Sequence, residues 1–223
     1  LTKGFSIDEQ YSVLLFIKQG SNAETYRVKG PDGKLYFLKL FNYAKLHRSA
    51  FDSENNLLEI ELLKKQGEIE KLAKKLYNRT QIFFMGRGLD ASVSFEGSLK
   101  LKEISYINSF AIAAGELKHG TIALMEPETI AIALATQDRL YEKMVSNIQE
   151  VITREARVVA ITKEGNNSME SQTKEVIYIP ACRDAITPFL SIIPLQLFAY
   201  YVAKEKGENI DKPRNLAKSV TVE

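Results

Sequence analysis

The chain has 223 residues, of which 45% are hydrophobic and 26% are charged, and its formal net charge at pH 7 is +2. This balance excludes an intrinsically disordered chain, and the small net charge argues against nucleic acid or an anionic membrane as a partner. Cys182 is the only cysteine, so an internal disulfide is excluded and a cytoplasmic location is expected. The chain begins at Leu1 rather than Met, which we interpret as a fragment or a processed product.

The N-terminal part predicts β structure followed by a helix. The predicted strands are apolar runs at Tyr11–Lys18, Tyr26–Lys29 and Leu35–Phe41. The tetrapeptide GPDG at residues 30–33 favours a hairpin between the last two strands, because proline presets one turn dihedral and Asp-Gly suits the next positions. Leucines and isoleucines then recur at helical spacing between residues 57 and 76.

From Gln81 onward, apolar runs alternate with helical patterns. The predicted strands are Ile82–Met85, Thr129–Ala135, Arg157–Ile161 and Val176–Ile179, and the predicted helices are Asp90–Tyr106, Asp138–Glu155 and Pro188–Lys206. Continuous apolar strands that alternate with helices are typical of a parallel sheet covered on both faces. We therefore predict an α/β domain over residues 68–223, preceded by a small β-sheet and a helix over residues 1–67.

The first part, residues 9–65, resembles the start of a Ser/Thr protein-kinase small lobe. The matching pieces are GSNAETY at residues 20–26, FLKLF at 37–41 and EIELLKK at 59–65. In that family the lysine, here Lys39, binds nucleotide phosphates and pairs with the helix glutamate, here Glu59. The alternative is that both are ordinary surface charges on a three-stranded sheet and its helix.

Several parts of a kinase are missing from this sequence. Only Gly20 of the three usual loop glycines is present, and no HRD-type loop or DFG triplet follows. Without a general base and metal ligands, phosphoryl transfer is not expected. Because the kinase pattern stops at Lys65, we interpret the chain as a possible chimera, natural or artefactual, of two unrelated segments.

In the second part, three charged residues share one stripe of the first predicted helix. Glu96, Lys100 and Glu103 occupy positions i, i+4 and i+7, which lie on one helix face. Two carboxylates beside a cation can handle protons. The same spacing also fits a solvated row of ion pairs, so the spacing alone leaves both interpretations open.

Residues 77–223 resemble the second sugar-isomerase (SIS) lobe of the glucosamine-6-phosphate synthase family, and the likeness begins near residue 69. The matching segments, which are specific in sequence and nearly free of gaps, are FFMGRGLD (83–90), FEGSLKLKEISYI (95–107), AAGELKHG (113–120), VVAITKEGN (158–166), PLQLFAYYVA (194–203) and DKPRNLAKSVTVE (211–223). The resemblance implies an SIS-like fold and an isomerising, glutamine-dependent aminotransferase that converts fructose 6-phosphate to glucosamine 6-phosphate.

The resemblance also implies roles for individual residues. Lys218 would form a Schiff base with the opened ketose, Glu103 would move the proton between C1 and C2, and His119 would open the sugar ring. Ala217, Lys100 and Glu96 would contact the substrate. A homodimer is implied as well, because in the family this histidine reaches the neighbouring subunit's site; no cofactor or metal is implied.

Two of these residues also have ordinary explanations. A histidine in a glycine-flanked turn, such as His119, often caps local backbone, and a C-terminal lysine such as Lys218 is usually solvated.

Other parts of the family's enzyme are not found in this sequence. The phosphate-binding Ser/Thr-rich loop of the first isomerase lobe and the glutaminase domain are both missing. We therefore expect little turnover by this chain alone. The alternatives are a sugar-phosphate-binding SIS module without catalysis, or a kinase-like regulatory fragment.

Overall fold

The computed structural model describes residues 6–7, 11–19, 23–41 and 58–214. The chain divides into two compact units, Leu1–Phe51 and Asp52–Glu223. The helix that begins at Leu58 therefore belongs to the larger unit, whereas the sequence analysis grouped it with the smaller one. The assignment of functional domains to residues 1–67 and 68–223 stays a prediction.

The smaller unit contains an antiparallel sheet in the order β1-β2-β3-β4. Its strands are β1 (Ser6–Ile7), β2 (Tyr11–Gln19), β3 (Ala23–Lys29) and β4 (Leu35–Phe41). Val13, Tyr26 and Val28 form its buried core. The predicted hairpin is present, with the Gly33 N–H donating to the Gly30 carbonyl over 3.0 Å. The three predicted strands are confirmed, and the two-residue β1 was not foreseen.

The larger unit is built on a five-stranded parallel sheet in the order β6-β5-β7-β8-β9. The strands are β5 (Gln81–Gly86), β6 (Asn108–Ala113), β7 (Ile130–Ala135), β8 (Arg157–Lys163) and β9 (Glu175–Ile179). The chain goes from β5 out to β6 and then returns past β5 to β7, so the direction of winding reverses between β5 and β7. In open α/β sheets, ligands bind outside the carboxyl ends of the strands at such a reversal.

Helices cover both faces of this sheet. Their bounds are α1 (Leu58–Lys64), α2 (Gln66–Leu76), α3 (Leu89–Ser105), α4 (Tyr141–Ile152) and α5 (Thr187–Glu205). Alternate residues of the central strands point to opposite faces. Accordingly, Phe84 and Ile132 join the core beneath α2, α3 and α5, whereas Phe83 and Ala133 join the core beneath α4. The predicted parallel sheet with helices on both faces is confirmed.

Strand β6 was missed by the sequence analysis. Its sequence, NSFAIA, contains only two strong strand formers, and as an edge strand it leaves Asn108 and Phe110 exposed. Such a segment lacks the continuous apolar run that marks the buried strands. It is placed by register, because each of its residues pairs with one of β5.

The most apolar helix is α5, which contains Pro194. Within the described ranges, no helix combines the length and apolar character needed to cross a membrane.

Candidate functional site

The turn between β5 and α3 lies at the reversal point of the sheet. A Cβ atom on Gly86 would lie 2.5 Å from the backbone of Asp90, so only glycine allows the strand to approach the helix this closely. Gly88 has φ +56°, a left-handed value that favours glycine. The GRG sequence is therefore required for the first turn of α3 to start directly at the strand end.

Asp90, in that first turn, links the start of α3 to Thr136, the residue that follows β7. Its carboxylate accepts hydrogen bonds from the backbone N–H of Thr136 over 2.7 Å and from the Thr136 hydroxyl over 2.5 Å. Burial raises the pKa of Asp90, against the lowering effect of the Thr136 hydrogen bonds. The side chain is only 2% exposed. The N-terminus of α3, where an anion would be favoured, thus holds the chain's own carboxylate.

A second polar cluster lies at the carboxyl ends of β7 and β8, next to the segment that follows β9. The buried Lys163 ammonium donates to the carbonyl of Cys182 over 3.2 Å and to Oδ1 of Asp184 over 3.1 Å, and it also pairs with Asp138. Burial lowers the pKa of Lys163, but the two carboxylates outweigh it and raise the pKa above its ordinary value. Burial also raises the pKa of the Cys182 thiol. Lys163 is therefore a structural cation, and Cys182 is not poised as a nucleophile.

The predicted stripe of charges is present on a half-buried flank of α3. The Nζ atom of Lys100 lies 2.8 Å from Oε2 of Glu103 and 3.5 Å from Oε1 of Glu96. The Glu103 side chain is 26% exposed and that of Glu96 is 45% exposed, so both carboxylates can reach a ligand. The hydrogen bond to Glu103 is the main cause of a raised pKa at Lys100.

His119 is exposed at the end of a 3₁₀ segment, Ala114–His119. The segment is fixed to its surroundings at two points. The guanidinium of Arg87 packs against Gly115, where an added Cβ would meet Nη1 at 3.4 Å, and Lys118 forms an ion pair with Glu150 over 2.8 Å.

Both contacts connect this segment to residues of α4. Arg87 donates from Nε to the buried amide oxygen of Asn147 over 2.8 Å, and Asn147 in turn donates to Glu150 over 3.2 Å. Helix α4 therefore ties the GRG turn to the segment that carries His119.

Four predicted site residues lie wholly or partly outside the described part of the chain. Lys218 and Ala217 lie outside the described residues. Lys39 lies in β4 and Glu59 lies in α1, but their side chains fall outside what the structure describes. The proposed nucleotide pair and the C-terminal lysine therefore stay predictions.

The described residue nearest to Lys218 in sequence is Arg214, which contacts Tyr106 at the end of α3. The sequence analysis did not single out Tyr106, Arg214, Asp90 or Lys163. A usable signal was present for Lys163 alone, because ATQD at residues 135–138 and ITKEG at 161–165 place polar residues directly after buried strands, at the edge where α/β sheets bind ligands.

The sheet reverses its direction of winding beside a glycine turn, and polar groups lie at the ends of its strands. These features define an open α/β domain, a class that binds small ligands at one edge of the sheet. The SIS domain family matches residues 75–205. That span is more than half of the 223 residues, and the chain belongs to the SIS domain family. The resemblance stated from the sequence motifs is confirmed for the larger unit.

Curated proteins that are similar to this region share one enzyme name. The glutamine–fructose-6-phosphate aminotransferase (isomerizing) of Clostridium tetani is 59% identical over 155 residues, which cover 70% of this chain and 26% of the relative. The enzyme of the same name from Caldanaerobacter subterraneus subsp. tengcongensis is 59% identical over 162 residues, which cover 73% of this chain and 27% of the relative. The chain thus spans about a quarter of the length of the curated relatives that it matches.

Solved structures agree with this assignment. The C-terminal domain of glucosamine-fructose-6-phosphate aminotransferase from Francisella tularensis is similar with a TM-score of 0.66 and 35% identity, over 70% of this chain and 44% of that one. A tagatose-6-phosphate ketose/aldose isomerase from Escherichia coli has a TM-score of 0.60 at 18% identity, over 74% of this chain and 46% of that one. The second likeness concerns the fold alone.

Proposed function

We propose that this chain is the second isomerase lobe of a glutamine–fructose-6-phosphate aminotransferase, and that it supplies residues for the conversion of fructose 6-phosphate to glucosamine 6-phosphate. One observation carries the proposal. A row of carboxylate, lysine and carboxylate lies partly exposed on α3, in a chain that is 59% identical over 155 and 162 residues to enzymes of that name.

The first steps open the sugar and activate its carbonyl carbon. His119 passes a proton to the ring oxygen and so yields the open ketose, a task that suits imidazole at neutral pH. The amine of Lys218 then adds to C2, and loss of water gives an imine. Ammonia displaces the lysine from this imine, which leaves an imine of the sugar itself and frees Lys218.

The proton transfer that completes the reaction is assigned to Glu103. Its carboxylate takes a proton from C1 as the imine nitrogen gains one, which leaves an enaminol. It then returns a proton to C2 while the C1 hydroxyl loses its proton, which gives the amino aldose. Lys100 supports this role because its ammonium holds the Glu103 carboxylate at 2.8 Å. Ala217, Lys100 and Glu96 contribute to substrate binding.

The substrate phosphate and the ammonia source belong to other parts of the enzyme. Asp90 places a carboxylate in the first turn of α3, where it is bonded to Thr136; its negative charge disfavours a phosphate at this helix end and supports a phosphate site elsewhere. Without that grip the reacting carbons are not held in place, so this chain alone is expected to turn over little. We further propose that the enzyme works in the cytoplasm as a homodimer, to which each subunit contributes His119 across the interface.

An isotope experiment tests the proposal. The chain is joined to the first isomerase lobe of a relative and incubated with fructose 6-phosphate and an ammonium salt in deuterated water, and deuterium at the sugar carbons is followed by NMR. We expect incorporation with the joined protein and none above background with the chain alone. Equal incorporation by the joined protein and by its Glu103→Gln variant would contradict the assignment.

A further inference from the structure

Tyr106, the residue at the C-terminal end of α3, has an unusual backbone conformation. Tyr106 caps the helix with φ +59° and ψ +17°, and its N–H donates to the carbonyl of Lys102. Left-handed backbone at a residue with a bulky side chain is uncommon and carries a free-energy cost. Such outliers persist where the surrounding structure holds them, so the contacts of the Tyr106 side chain are informative.

Those contacts are made with the segment that follows α5. The Tyr106 hydroxyl accepts a hydrogen bond from the backbone N–H of Arg214 over 2.8 Å. The guanidinium carbon of Arg214 lies 4.0 Å from the centroid of the Tyr106 ring, a cation–π arrangement. One residue earlier, the carbonyl of Ser105 accepts from Lys206 Nζ over 2.5 Å. The end of α3 is therefore joined twice to the chain that leads toward the C-terminus.

We propose that Tyr106 is a positioning residue that anchors the C-terminal segment at Arg214 and so keeps Lys218 within reach of Glu103. Glu103 lies three residues before Tyr106, which is about 4.5 Å along the helix axis. Lys218 lies four residues after Arg214, so its Cα is within about 14 Å of the Arg214 Cα even in an extended chain. The anchoring is independent of the reaction, whereas its consequence for Lys218 rests on the proposed function.

Tyrosine satisfies both requirements of this anchor. The hydroxyl binds a backbone N–H, so it fixes the path of the main chain, and the ring face holds the Arg214 side chain on the same residue. Phenylalanine retains only the second contact. Glycine retains neither, but it adopts φ +59° without cost, so Tyr106→Gly removes the anchor while leaving the helix cap intact.

Amide hydrogen exchange in the full 223-residue chain tests the anchor. Loss of one hydrogen bond in Tyr106→Phe is expected to raise the exchange rate of the Arg214 amide about fivefold, and Tyr106→Gly is expected to raise it further. Tyr77→Phe, at an exposed tyrosine beyond α2, is the matched control and leaves this rate unchanged. If the Arg214 amide exchanges equally fast in the parent, Tyr106→Phe and Tyr106→Gly, the anchor does not exist.

A trapping experiment then tests the consequence for Lys218. In the protein joined to a first isomerase lobe, cyanoborohydride with fructose 6-phosphate is expected to modify Lys218, and Tyr106→Gly is expected to reduce the yield severalfold while the melting temperature stays within the control's range. An unchanged yield in Tyr106→Gly would overturn the positioning role. Failure to modify Lys218 in the parent would instead overturn the proposed function, and the exchange result would still decide the anchor.

Discussion

The ammonium of Lys100 lies 2.8 Å from Oε2 of Glu103, three residues further along α3. The hydrogen bond between them raises the pKa of Lys100, so this lysine stays charged at neutral pH. An amine must lose its proton before it attacks a carbonyl, and the ion pairs of Lys100 and Lys163, whose pKa values are both raised, oppose that loss. These contacts make the two lysines poorer imine-forming amines than a lysine without such partners.

Glu103→Gln tests the proton transfer on its own. The amide keeps the size of the side chain but cannot accept the C1 proton, so we expect the rate of glucosamine 6-phosphate formation by the joined protein, supplied with an ammonium salt, to fall about 10²- to 10⁴-fold. Glu70→Gln is the matched control, because Glu70 also pairs with a lysine on its own helix, Lys74 of α2, although at i,i+4 rather than i,i+3 spacing. A loss of the same size in both variants would show that the effect is not chemical.

Glu150→Gln tests whether α4 holds the segment that carries His119. The substitution breaks the ion pair with Lys118 and weakens the link to Asn147. We expect the ring resonance of His119 to shift and the amides of residues 115–119 to exchange faster. The chain has two histidines, so the His47 resonance serves as an internal reference in the same spectrum.

The outcome of that experiment is clear in either direction. A conservative Lys118→Arg variant retains the ion pair and should leave the His119 resonance close to that of the parent. If Glu150→Gln shifts neither the resonance nor the exchange rates, the segment is held by other contacts.

The pair of Glu175 and Arg157 predicts a pH dependence of stability. Burial raises the pKa of Glu175, but the Arg157 guanidinium and, to a smaller extent, the Lys75 ammonium outweigh it, and the net pKa lies below the ordinary value of 4.5. Because the folded state lowers this pKa, the pair stabilises the protein fully above about pH 4.5, and the contribution is lost as the pH falls through the folded-state pKa.

A double-mutant cycle isolates this effect from the other carboxylates. Urea unfolding is measured for the parent, Glu175→Gln, Arg157→Gln and the double variant at pH 7 and at pH 3. The coupling free energy should be favourable at pH 7 and smaller at pH 3. Coupling that stays the same at both values would contradict the ion-pair interpretation.

Gly97 marks the close crossing of α3 and α5. A Cβ atom there would lie 2.4 Å from Cδ1 and 3.2 Å from Cβ of Leu195. Gly97→Ala is therefore expected to lower the free energy of unfolding by about 1–3 kcal/mol, despite the better helix propensity of alanine. Gly67→Ala is the control, since nothing lies within 4 Å of its Cβ position, and it should stabilise α2 by up to ~1 kcal/mol. Equal effects of the two substitutions would contradict the packing argument.

Much of the larger unit was predictable from local pattern. Strands such as β7 and β8 are continuous apolar runs between helical periods, and the structure places their ends within two residues of the predicted ones. Edge strand β6 was not predictable in this way, because it is half exposed and depends on pairing with β5.

The stripe of Glu96, Lys100 and Glu103 could be predicted because its members lie within two turns of one helix. The anchor between Tyr106 and Arg214 could not be, since it joins residues 108 positions apart. The same is true of Asp90 and Thr136, which are 46 positions apart. Their contacts follow from strand order and from the path of α5, which no local pattern encodes.

The measurement that bears most directly on the account is to locate the imine-forming residue. The joined protein is treated with fructose 6-phosphate and cyanoborohydride, digested, and analysed by mass spectrometry, with Lys218→Arg as the control variant. We predict one reduced hexose phosphate on Lys218 in the parent and none on any lysine in Lys218→Arg. Modification of Lys100 or Lys163 instead, or full amino-sugar production by Lys218→Arg, would contradict the account.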